Sequence, residues 1–219
     1  MRYKTLALVL LVGAAPLVGC LQKDTSTTIF IRNDGSIEWS VLDRNVRSDE
    51  TDPGKRADEE QNYLYAVQGG TDDLTAGFRV LGGTNIRAEV LRDRVPFSTL
   101  RSADFTNMNQ VWERAFLKCQ VPHRIELKTD GVTTTWTMAI QVDPEPDEAV
   151  GCDTKAIEAL LSDSSEHLRI MLESGKFVSA TGFTLAGSDT AEVRDIDSDT
   201  ITKNGGVVTL SLTWERMAR

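Results

Sequence analysis

HRIELKTDGVTTTWTMAIQV, residues 123–142, decides the fold class. Asp130-Gly131 is the strongest hairpin signal in the chain, because tight two-residue turns need positive φ, which glycine adopts without steric cost. After the turn, Trp136, Met138, Ile140 and Val142 share one face of an extended segment, and Thr135, Thr137 and Gln141 share the other. A period of two is that of a half-buried strand. The stretch therefore predicts an antiparallel hairpin with an apolar inner face.

The same chemistry recurs on both sides of it. Residues 27–32 are β-branched and apolar, 33–36 (Asn-Asp-Gly-Ser) form a turn signal, and Ile37, Trp39 and Val41 alternate with Glu38 and Ser40. Ile86, Ala88 and Val90 alternate ahead of a second extended segment at 96–105. Towards the C-terminus, segments at 168–172, 177–185, 191–196 and 208–214 are separated by glycine-containing turns. Three helices are expected. One follows the Asp52-Pro53 cap and runs from 55 to Gly69-Gly70, one runs from Thr106 or Asn107 to about Cys119, and one covers about 153–162. Residues 71–83 are ambiguous, since Leu74, Phe78 and Leu81 suit a short helix while Gly77, Gly82 and Gly83 argue against a long one. Hairpins with interspersed helices predict an α+β domain: a mainly antiparallel sheet of nine or ten strands with about three helices. Parallel βαβ units would need a helix after nearly every strand. A weak internal echo, a basic residue and Asp-Gly leading to a tryptophan strand at 32–39 and 128–136, reads as duplication or as a coincidence of common hairpin chemistry.

The N-terminus carries a separate signal. Arg2 and Lys4 precede an uncharged apolar run from Thr5 to Val18, and the segment closes Leu17-Val18-Gly19-Cys20. A charged n-region, a short apolar h-region and small residues before a cut site make a secretory signal, too short to span a bilayer comfortably. Leu-Val-Gly-Cys resembles the lipobox of bacterial lipoproteins. That resemblance implies removal of residues 1–19 and a diacylglyceryl thioether on Cys20, which becomes the mature N-terminus. Leu21 after the cysteine resembles lipoproteins forwarded to the outer membrane of Gram-negative cells, on its periplasmic face. Asp34-Gly35-Ser36-Ile37-Glu38-Trp39, with Val46-Arg47-Ser48-Asp49 following, resembles uncharacterised predicted bacterial lipoproteins, which supply no activity to carry over. The expected organisation is a signal peptide at 1–19, a short lipidated tether at 20–26 and a single domain at 27–219.

The chain carries a formal net charge of −9. Loss of residues 1–19 removes Arg2 and Lys4 and no acid, leaving 22 basic and 33 acidic residues and a charge of −11. No Lys/Arg cluster is free of interleaved acids, which argues against nucleic acid as a partner. With Cys20 committed to lipid, Cys119 and Cys152 remain. Exported chains keep disulfides, so pairing is the economical reading, closing a loop of about 33 residues worth roughly 3–4 kcal/mol. Two unpaired small hydrophobes are the alternative.

No catalytic or metal site is expected from motifs. His123 and His167 lack the HExxH spacing of a zinc site. Asp195, Asp197 and Asp199 alternate like a calcium loop, but Thr200 and Gly206 stand where an EF-hand needs Gly and Glu. An enzyme would have to assemble carboxylates such as Glu59, Glu60, Asp104 or Glu126 through the fold. Trp39, Trp136 and Trp214 suit a core better than an aromatic platform. The reading is a non-enzymatic envelope lipoprotein with no cofactor, held to a membrane through Cys20, that binds an envelope protein or another envelope component. The alternative is an envelope hydrolase using carboxylates on the sheet. An acidic domain near anionic headgroups should turn its less acidic side, near Lys23, Arg32, Arg44 and Arg47, to the membrane and its acidic loops at 143–148 and 195–199 outward.

Overall fold

The computed structural model describes residues 21–118, 121–141, 168–193 and 204–216. The first hairpin pairs β1 (Leu21–Ile31) with β2 (Ile37–Ser48) around the 33–36 turn. Helices α1 (Pro53–Gln68) and α2 (Asp73–Val80) follow. Asp52 caps α1 by accepting from the Gly54 and Lys55 amides at 2.9 and 3.0 Å, and Asp72 caps α2 through the Thr75 amide. A second hairpin joins β3 (Thr84–Arg92) to β4 (Phe97–Phe105), and α3 (Met108–Lys118) precedes a third, β5 (His123–Asp130) with β6 (Thr133–Gln141). The remaining strands are β7 (Leu168–Leu172), β8 (Lys176–Thr181), β9 (Phe183–Leu185), β10 (Thr190–Val193) and β11 (Val207–Glu215).

Strand alternation explains the layers. On β2, Ile37, Trp39, Val41 and Asp43 point inward, registered against Ile31, Ile29 and Thr27 of β1 and Phe105, Ala103, Arg101 and Thr99 of β4. Trp39 meets Phe78 of α2 and Trp112 of α3 at ring centroid distances of 5.9 and 5.5 Å, so α2 and α3 cover this face. Trp136, Met138 and Ile140 of β6 and Val208, Leu210, Leu212 and Trp214 of β11 join the same core. Phe183 meets Trp136 across 6.5 Å, linking the two sheets.

Several expectations change. Instead of one sheet of nine or ten strands, the described residues form eleven strands in two sheets, in the orders β3-β4-β2-β1-β7-β10-β9 and β5-β6-β11-β8. The split follows from where strands find partners: β7 pairs parallel to β1, and β6 pairs with β11 from the C-terminus, neither of which a local pattern announces. The ambiguous stretch at 71–83 contains a helix, because Asp72 caps it and Leu74, Thr75, Gly77 and Phe78 are buried; the helix expected at 153–162 lies outside the described residues. Finally, Leu21–Ser26, read as tether, is strand: Leu21 registers with Ser48 and Ser26 with Leu42. The third hairpin closes one residue later than its sequence suggests, with Asp130 opposite Thr133 and Gly131 at φ 59°. Loop length also accounts for the tryptophan echo. Five residues join β1 to β2 and two join β5 to β6, and both Trp39 and Trp136 are buried.

Candidate functional site

The residues offered for chemistry do not converge. Glu59 and Glu60 sit on α1 and bind the Ser48 hydroxyl and amide. Asp104 accepts from Arg32 at 2.7 Å and Asn85 at 2.9 Å, and Glu126 on exposed β5 is flanked by Arg124 and Lys128. His123 places Nδ1 2.7 Å from the Val121 carbonyl and its ring against Phe116. Trp39, Trp136 and Trp214 are core residues. Among the described residues no group of three or more His, Cys, Asp or Glu side chains could hold a metal ion. Cys20, Cys119, Cys152, His167 and the acidic loops at 143–148 and 195–199 lie outside the described residues.

An open groove of about 580 Å³ runs along α3, lined by Asn107, Gln110, Glu113, Arg114, Leu117 and Leu127. Arg114 is already engaged, donating to the Leu81 carbonyl at 2.8 Å. The groove holds one acid and no nucleophile or base pair, so it offers surface rather than chemistry.

A charged cluster that the sequence did not single out lies beneath α1. Asp43 is fully buried, and it accepts hydrogen bonds from Arg101 Nη2, from Thr25 Oγ1 at 2.7 Å and from Tyr63 Oη at 3.2 Å, with Lys23 Nζ at 3.6 Å. Tyr63 Oη in turn accepts from Arg101 Nη1 at 3.0 Å and shares a proton with Thr99 Oγ1 at 2.6 Å. Burial pushes the Asp43 carboxyl up, but the charges of Arg101 and Lys23 and the hydrogen bonds outweigh it and hold the group below its ordinary range. Burial likewise raises the Tyr63 phenol. A carboxylate kept ionised with every approach occupied is a poor general base. Its role is to fasten α1 and α2 to the sheet, since Asp72 at the α2 cap stands 3.7 Å from Arg101 Nε. The signal was available: Asp43 and Arg101 are the charged members of otherwise uncharged inward rows.

The remaining feature is the end of the large sheet where β1 starts. Register puts Leu21 beside Ser48, Val46 beside Phe97, and Ser98 beside Arg92, so the start of β1, the end of β2 and the β3–β4 tip at 91–96 lie at one end. Three strands break register there, between Gln22 and Asp24, Asp43 and Val46, and Val90 and Arg92. Bulges re-aim side chains and end pairing. Asn45 takes the left-handed φ of 54° within one, and its Nδ2 donates to Asp24 at 2.6 Å. Arg44 and Arg47 are exposed, as is the tip sequence Leu91-Arg92-Asp93-Arg94-Val95. Leu91 and Val95 are 54% and 47% exposed. Among the described residues, no carboxylate lies within ion-pair distance of Arg44, Arg92 or Arg94. The sequence grouping of Lys23, Arg32, Arg44 and Arg47 divides here: Arg32 follows the opposite end of β1, where it binds Glu38 and Asp104.

No family model matches the chain, and no curated protein sequence does. Among solved structures it is similar to the folded domain of Mycobacterium tuberculosis LppM, at 10% identity and a TM-score of 0.38 over 94% of this chain and 97% of that one. It is also similar to the zebrafish (Danio rerio) Fcho1 Mu homology domain with bound Eps15 peptide, at 8% identity and a TM-score of 0.18 over 88% and 79%. Superpositions this loose establish neither a shared fold nor a shared activity.

Proposed function

We propose that this chain is a lipid-anchored bacterial envelope protein whose domain acts as a non-enzymatic binding module for another envelope component. The observation that carries the reading is Leu17-Val18-Gly19-Cys20 at the close of a charged-then-apolar leader, one residue before the first strand. The distribution of carboxylates supports the non-enzymatic half: Glu59 and Glu60 on α1 both bind Ser48, Asp104 on β4 binds Arg32, and Glu126 on β5 pairs with Lys128. The acidic surface suits a soluble face presented to a partner rather than to nucleic acid. In a Gram-negative cell, Leu21 after the anchor directs the protein to the periplasmic face of the outer membrane, and in that oxidising space Cys119 pairs with Cys152. Intact mass and N-terminal peptide mapping of protein extracted from its native membrane test the reading. The expected product starts at Cys20 carrying diacylglycerol. A retained leader, or a free N-terminus elsewhere with an unmodified Cys20, refutes it.

A further inference from the structure

We infer that the β3–β4 tip, residues 91–96, is a second membrane contact that seats the lipid-anchored domain on its bulged sheet end against an anionic bilayer surface. The inference rests on the lipid anchor proposed above. Because β1 begins at Leu21, no flexible tether separates the sheet from Cys20. One residue spans at most about 3.6 Å, so the end of the sheet stands at the headgroups wherever the thioether is inserted. The 91–96 tip lies at that end by strand register.

Its chemistry fits such a surface. Leu91 and Val95 are the exposed apolar side chains, and Arg92 and Arg94 alternate with them. Apolar groups enter the boundary between headgroups and acyl chains, while arginines lay their stems along it and keep the guanidinium groups at the phosphates. Charge agrees. Residues 21–24, 43–56 and 91–95 together hold seven basic and six acidic residues, against a charge of −9 for the whole chain. Two of those acids are engaged with backbone: Glu50 accepts from the Thr51 and Asp52 amides, and Asp52 caps α1. Elsewhere the acidic excess would be repelled by anionic lipid within a Debye length of about 8 Å. Leu91 continues the exposed row of β3 after Arg87 and Glu89, and the register break between Val90 and Arg92 ends regular pairing beside it.

The test uses full-length protein processed in cells and reconstituted into phosphatidylethanolamine–phosphatidylglycerol vesicles whose acyl chains are brominated near the headgroup. Tryptophan is introduced as Leu91→Trp at the tip and as Val178→Trp, an exposed site on β8 near the opposite end, and the wild-type signal of the buried tryptophans is subtracted. The expected result is blue-shifted, bromine-quenched fluorescence for Leu91→Trp and unquenched, water-like fluorescence for Val178→Trp. Equal quenching at both sites, or at neither, in protein whose Cys20 is shown by mass to be lipidated overturns the inference and leaves the anchor standing. Protein with no lipid on Cys20 overturns both.

Discussion

Two arginines of this protein each stand between two carboxylates, and the sheet separates them. Arg101 lies on the helix-covered face at 1% exposure with Asp43 fully buried and Asp72 at the α2 cap. Arg32 lies on the open face at 29% exposure, bridging Glu38 and Asp104 at 2.8 and 2.7 Å. Glu38 and Asp104 are directly opposed on β2 and β4, a like-charge pair that Arg32 neutralises. In both clusters the guanidinium is held in its charged form, Arg101 against the burial that opposes it and Arg32 mainly by its hydrogen bond to Asp104. The geometry is alike and the energetics are not, because solvent screens one cluster and is excluded from the other. Which face a charge occupies, rather than how many partners it has, decides what its loss costs.

The largest effect should come from Arg101→Met. It strands a buried carboxylate with Lys23 as its nearest cation, and removing one partner of a buried pair costs about 3–5 kcal/mol. Urea unfolding of the purified domain measures this as a fall in midpoint at constant slope. Adding Asp43→Asn should recover part of the loss, since the uncompensated charge then disappears. If Arg101→Met proves as mild as Arg32→Ala, the two faces are energetically alike and the comparison fails.

The second prediction concerns pH. Asp43 has a lower pKa folded than the roughly 3.9 of an unfolded chain. The unfolded state therefore binds more protons in that range, and stability rises with pH there. The contribution is complete above about pH 4 and is lost as pH falls through the folded pKa. The stability gap between the protein and Asp43→Asn should close on acidification. For Asp104, burial raises the pKa but hydrogen bonds from Asn85 and Arg32 lower it further, so Asp104→Asn shows a gap of the same sign. It should be smaller and should weaken with salt, because that cluster is wetter. A gap for Asp43→Asn that widens as pH falls would contradict the assignment of charge.

Tyr63→Phe comes third. The phenol accepts from Arg101 and offers its proton to Asp43 or Thr99, so its loss removes one donor and one acceptor from a buried network. The expected cost is about 1–2 kcal/mol, read from the same urea curves. Thr25→Val, which removes the Asp43 contact at the wetter rim of the cluster, should cost less.

How much of this was legible in the sequence differs between the two clusters. Alternation fixes the faces of β2, β4 and β6, because side-chain direction in a strand has a period of two and apolar rows identify the inner face. The row Ile37, Trp39, Val41, Asp43 and the row Phe97, Thr99, Arg101, Ala103, Phe105 each place one charge inward, which marks a buried ion pair once β2 and β4 are neighbours. That adjacency is the missing step, since α1, α2 and β3 intervene in sequence. The Arg32 cluster needs the same adjacency and offers no inward charge to prompt it. The parallel pairing of β1 with β7 joins residues more than a hundred apart, and the second sheet forms through β6 and β11, more than sixty apart, both beyond any local pattern. The bulged sheet end was half legible: Arg44 and Arg47 stood out as a basic group, but the tip at 91–95 joined them only once register placed the β3–β4 turn beside the end of β2.

The smallest effect sharpens the comparison most, because it tests sign as well as size. Arg32→Ala removes two solvent-screened ion pairs, each worth about 0.2–1 kcal/mol, and leaves Glu38 facing Asp104. Asp104 keeps its hydrogen bond from Asn85, so its charge is not stranded. A net cost of at most about 1 kcal/mol follows at low ionic strength. In about 1 M salt the Debye length falls to roughly 3 Å, shorter than the gap between side chains on neighbouring strands, so both the attraction and the exposed repulsion are quenched. The Arg32→Ala penalty should then vanish, while that of Arg101→Met stays nearly unchanged because mobile ions do not reach its cluster. Paired urea titrations in low and high sodium chloride decide the matter: an Arg32→Ala cost that survives high salt would mean that the open face is shielded from solvent by something that covers it.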